Sequence, residues 1–78
     1  MQNKEVIKEF KAIIENAKRH RVSIGISQAQ VGKIMADNES RDKAYGRAYI
    51  SLIESGDINI SMYVFLNYCK SIGYNPFI

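Results

Sequence analysis

Apolar residues recur at helical spacing along this chain, and nowhere do they alternate as a β-strand requires. From 4 to 22, Val6, Ile7, Phe10, Ile13, Ile14 and Ala17 fall on one face of a helix, with Lys4, Lys8, Lys11, Glu15 and Lys18 on the others. Asn3 is placed to cap this helix, and Lys18-Arg19-His20-Arg21 sets cations in its last turn, against the negative end of the helix dipole. Gly25 breaks the pattern. Ser27 caps a second helix with Val31, Ile34 and Met35 on one face and Ala29 small enough for close packing; it is too short to stand alone. Tyr45, Tyr49, Ile50, Leu52 and Ile53 share a broad face of a third helix, which Gly56 ends. Ser61 caps a fourth, closed by Gly73. One of its faces carries Met62, Phe65, Leu66, Cys69 and Ile72, and the other carries Tyr63, Val64 and Tyr68. The expectation is an all-α single domain, residues 1–78, of four or five compactly packed helices.

A chain of 78 residues is one small domain, burying roughly 60% of its unfolded surface. Eleven Lys and Arg against eight acidic residues give +3, which permits a polyanionic partner without demanding one. A single cysteine, Cys69, excludes an internal disulfide and fits a reducing compartment. No apolar run approaches the roughly 18 residues of a membrane span, and the charged start is unlike a signal peptide. A cytoplasmic setting is expected. Catalytic chemistry has little to use. The lone His20 sits among cations, Cys69 lies on a core face, and there are no paired metal-ligand dyads, Gly-rich phosphate loop or nucleophile elbow. No enzyme, cofactor, metal or small-molecule substrate is expected.

The order of the parts is more informative. "RVSIGISQAQVGKIM", "AYISLIESG" and "NISMYVFLNYCKSIGYNP" together resemble the helix-turn-helix regulators of the lambda repressor and Cro type. They match the end of that family's first helix with its glycine turn and first motif helix, the back half of its recognition helix, and the helix that follows. The resemblance runs through most of the chain, with motif helices at about 27–35 and about 41–54. It departs from the family between them. The motif usually joins its helices by a turn of about three or four residues; the interval 36–49 is about eight residues longer than the family's usual one of about six. Those extra residues form either a loop, with the recognition helix starting near Gly46, or a backward extension of that helix to Arg41. The phase from Tyr45 to Ile53 is unbroken and Ser40 is placed to cap, so a partial extension is the reading favoured here, against the cost of Gly46 inside a helix.

The resemblance implies a sequence-specific regulator of double-stranded DNA, a repressor acting as a homodimer, whose second motif helix lies in the major groove. Its base-reading positions map onto Arg47, Ala48 and Ser51, with Leu52 beside them and with Lys43 and Ala44 if the helix extends. Arg47 leads because arginine can bond guanine bidentately. Phosphate contacts map onto Gln28, Ser27, Lys33, Ser55 and Asn59, and Gln28 also braces the recognition helix. Asp57 departs from the pattern, since a carboxylate near phosphates is unfavourable. Arg21 and Glu54 match a buried ion pair joining the first helix to the recognition helix. Tyr63, Val64, Tyr68 and Phe77 offer apolar surface for a dimer contact. The alternative is a protein-binding module on the same fold, docking a partner through the mixed-charge insert 36–48.

Overall fold

The computed structural model describes residues 4–57 and 59–77, so the Asn3 cap lies outside the described residues. The domain is all-α. Its four helices are α1 (Lys4–Ser23), α2 (Gln28–Asn38), α3 (Arg47–Glu54) and α4 (Met62–Ser71), with no strand among the described residues. No described helix is long and apolar enough to cross a membrane.

α2 begins with a capping box. The Ser27 hydroxyl accepts from the Gln30 N–H, and the Gln30 side chain accepts from the Ser27 N–H. The Ser61 hydroxyl caps α4 in the same way by accepting from Val64. Three helices end alike. After α1, Gly25 donates to Val22 and Ile26 to Arg21; after α4, Gly73 donates to Lys70 and Tyr74 to Cys69. These are Schellman closures, and both glycines take the left-handed backbone that such closures need (φ 76° and 67°). α2 closes identically, with Ser40 donating to Asp37 and Arg41 to Ala36, but here a serine occupies the left-handed position (φ 56°).

That closure corrects the expected N-cap at Ser40. The residue terminates α2 and cannot start α3. The insert is divided: its first residues lengthen α2 to Asn38, and the rest is a loop leading to Gly46, the N-cap of an α3 that begins at Arg47. Lys43 and Ala44 therefore lie in the loop and not on α3. Ser40→Gly is expected to stabilise the domain by about 0.5–1 kcal/mol, since an L-residue in the left-handed region costs about 1 kcal/mol or more and glycine does not. A rise in the urea midpoint at unchanged slope would show it; a fall would mean that the Ser40 side chain is needed.

The core gathers Ile14, Ala17, Val31, Met35, Ile50, Ile53, Phe65, Tyr68, Cys69 and Ile72 from all four helices. Each large aliphatic side chain fully withdrawn from water contributes about 1.5–3 kcal/mol. Phe10 of α1 meets Phe65 of α4 edge-on, ring centroids 6.0 Å apart. Burial pushes the Cys69 thiol up to about 11, so it packs as a small hydrophobe. Val6 and Met62, expected on core faces, are exposed, each in the first turn of its helix. A polar lock joins α2 to α4. Asn38 Nδ2 donates to Asn67 Oδ1 (2.8 Å) and Ser71 Oγ (3.1 Å), and Asn67 Nδ2 donates to the Met35 carbonyl (3.1 Å) near the end of α2. It satisfies a late α2 carbonyl that has no partner further along its own helix.

Candidate nucleic-acid interface

α3 is eight residues long, too short to persist without tertiary contacts. Ile50 and Ile53 are fully buried and Glu54 nearly so, while Arg47, Ala48, Ser51 and Leu52 face outward. The expected base-reading residues of this helix thus share one exposed stripe. Lys33 is exposed on α2. Arg21, Ser27, Gln28, Ala29 and Arg47 line an open groove between the starts of α2 and α3.

Behind the stripe lies the expected ion pair. Arg21 Nε donates to Glu54 Oε2 (2.6 Å) and Nη2 to Oε1 (3.2 Å), a bidentate arrangement linking α1 to the end of α3. Arg21 Nη1 also donates to the Ile26 carbonyl at 2.8 Å. Glu54 accepts further from Gln28 Nε2 (2.9 Å) and from the Tyr68 hydroxyl. Burial pushes the Glu54 carboxyl up, but the bonds from Arg21, Tyr68 and Gln28 outweigh it and hold the group below its ordinary value. Burial, then the Glu54 bond, raises the Tyr68 hydroxyl well above its ordinary range. Among the described residues no buried side-chain polar atom lacks a hydrogen-bond partner.

Two site expectations change. Tyr68, expected in a dimer contact, is fully buried and bonded to Glu54, so it belongs to the core. Helical spacing puts it one turn after Phe65 at the edge of the core face, and the two rings stack 6.5 Å apart. Val64 is half-buried against the core cluster; Tyr63 and Phe77 are exposed. Lys43 and Ala44 are exposed in the loop.

The polar residues differ in what they have left to offer a phosphate. Gln28 Nε2 donates to Glu54 and, at 3.2 Å, to Ser51 Oγ, so its amide hydrogens are engaged in bracing α3. Ser55 spends its hydroxyl hydrogen on the Leu52 carbonyl at 2.7 Å. The Asn59 N–H donates to Asp57 Oδ1 at 2.9 Å, closing a turn on the carboxylate. Ser27 caps through its oxygen, which leaves the hydroxyl hydrogen uncommitted by the cap.

The α2–α4 lock and the loop contacts of Tyr45 were missed from sequence. Polar residues on an otherwise apolar α4 were the available signal for the first; for the second, helical phase pointed only to the Tyr45–Tyr49 neighbourhood and not to the bonds with Gly32 and Glu39. Among the described residues no group of three His, Cys, Asp or Glu side chains could hold a metal. Comparison with protein families, curated proteins and solved structures found no match to this chain.

Proposed function

We propose that this protein is a sequence-specific regulator of double-stranded DNA, of the lambda repressor and Cro type, acting in the cytoplasm as a homodimeric repressor without enzymatic chemistry. α3 carries this reading. Its inner face is locked by Ile50, Ile53 and Glu54, and its outer face offers Arg47, Ala48, Ser51 and Leu52. A short helix held rigidly with a free, arginine-bearing face is what reading base edges in a major groove requires. Ser27 and Lys33 flank that face as donors to phosphate. Tyr63 and Phe77, 66% and 77% exposed, supply apolar surface for the second subunit. One observation favours the alternative, a protein-docking module. The loop after α2 is folded onto α2 and α3, and it carries Glu39 and Asp42 beside Arg41 and Lys43, a balanced pattern poorly suited to a polyanion.

Selection of a random duplex library at near-physiological salt tests the reading, since phosphate-only binding is weak there. The expected result is an enriched palindrome with half-sites about one helical turn apart. Arg47→Ala should then lose about tenfold or more of its preference for that site, the usual worth of a bidentate arginine–guanine contact. No enrichment by the wild-type protein would overturn the reading and make the insert the bait for a protein partner. A concentration-independent monomer in the ultracentrifuge would overturn the dimer.

A further inference from the structure

Tyr45 ties the loop between α2 and α3 to both helices at three points, and a fourth contact to its ring comes from within the loop. Its N–H donates to the Gly32 carbonyl in the middle of α2 (3.2 Å). Its hydroxyl donates to Glu39 at the end of α2. Its ring stacks on Tyr49 of α3, centroids 5.4 Å apart and planes 16° from parallel. The Arg41 guanidinium lies over the same ring, 4.2 Å from its centroid, a cation–π contact. Gly32 is shaped for this arrangement: a Cβ there would stand 2.1 Å from the Tyr45 carbonyl oxygen.

α3 needs such a fastening at one end. Its C-terminal half is held by Ile53 and by Glu54 with its three partners. Its N-terminal end is capped by Gly46, with no side-chain bond to the first-turn amides, and its first two residues, Arg47 and Ala48, are exposed. Tyr45 immediately precedes the Gly46 cap and grips both α2 and, through Tyr49, the first turn of α3.

We propose that Tyr45 is a positioning residue: with Gly32 and Tyr49 it forms a clasp that sets where the first turn of α3, and so Arg47, stands relative to α2. The functional half of this inference rests on the reading of α3 as a DNA-contacting helix. The clasp makes the added residues part of the reading apparatus without touching DNA themselves.

The test compares wild type, Tyr45→Phe and Tyr45→Ala as the full chain. Tyr45→Phe keeps the ring stack and the backbone bond; Tyr45→Ala removes the stack and frees Arg41. In amide NMR spectra without DNA, Tyr45→Ala should shift the resonances of residues 47–50 and speed their exchange while α1 and α4 are unchanged, and Tyr45→Phe should leave them near wild type. With DNA, Tyr45→Ala should lower the ratio of specific to non-specific affinity about tenfold while non-specific binding, which depends on phosphate contacts, stays within about threefold; Tyr45→Phe should restore the ratio. Unmoved α3 resonances in Tyr45→Ala overturn the clasp. Moved resonances with an unchanged affinity ratio overturn its role in reading. Moved resonances in a protein whose wild type selects no duplex support the clasp and place the failure with the DNA reading.

Discussion

Glu54→Ala is expected to cost about 3–5 kcal/mol, because it leaves the Arg21 guanidinium buried without its carboxylate. A domain of this length has roughly 4–12 kcal/mol in total, so the variant should sit near the edge of folding, its melting temperature lowered by roughly 15 °C or more. The geometry makes the loss large. One carboxylate accepts from Arg21 twice, from Gln28 and from Tyr68, so four donors from three other elements are orphaned together. Replacing Arg21 and Glu54 jointly by apolar residues of similar volume should cost much less than either single change, since no charge is then stranded. Thermal melts of the two alanine variants and their double measure this directly. Additive losses would mean that the pair does not act as a unit.

The same cluster sets a pH dependence on both sides. The Glu54 carboxyl is depressed, so the stability it contributes is present above the ordinary carboxylate range and is lost as pH falls through its lowered value. The Tyr68 hydroxyl is raised, so its contribution is fully present below pH 10.0, its ordinary value, and is lost as pH rises beyond that. Tyr68→Phe should flatten the alkaline limb of a stability–pH curve while lowering the plateau, because one donor to Glu54 disappears.

Gly32→Ala should be destabilising, although glycine to alanine within a helix ordinarily gains about 1 kcal/mol. The added methyl would stand 2.1 Å from the Tyr45 carbonyl oxygen, a backbone atom with no flexible end to swing aside. Forced overpacking of this kind typically costs about 1–3 kcal/mol, and displacing Tyr45 also breaks its N–H bond to Gly32. The second effect outweighs the first, so a net loss of about 1–2 kcal/mol is expected. In amide spectra the changes should concentrate at 39–50. An alanine variant more stable than wild type, with those residues unshifted, would mean that the loop yields freely.

What was legible in the sequence follows the range of the interactions. Ser27, Ser61, Gly25 and Gly73 act on neighbours within a turn, and local chemistry foretold each of them. The Arg21–Glu54 pair spans 33 positions; no spacing rule reaches that far, and the family resemblance supplied it. The start of α3 was misplaced for a physical reason. Tyr45 does lie beside Tyr49, as helical phase required, but it arrives there from a loop, and Ser40 has side-chain chemistry suited to a cap while its backbone is committed to the end of α2. Tyr68 was misassigned because it lies at the edge of the α4 core face, one turn from Phe65, and only packing shows that its hydroxyl reaches the carboxylate at the end of α3. The Asn38–Asn67–Ser71 lock was signalled only by polar residues on an otherwise apolar α4; its members meet only after α2 and α4 have packed.

The division of α3 between a locked inner face and an open outer one bears on how such a domain can change over time. Substitutions at exposed positions away from caps and networks usually alter stability by less than about 0.5 kcal/mol. Arg47, Ala48 and Leu52 are positions of that kind, whereas Ser51 and Ser55 are tied to Gln28 and to the Leu52 carbonyl. Three letters of an eight-residue helix are therefore free to drift without unfolding the chassis beneath them. On the reading of α3 as a DNA-contacting helix, new target preferences are reachable by single, individually harmless steps, and a library randomised at these three sites alone would keep almost every member folded.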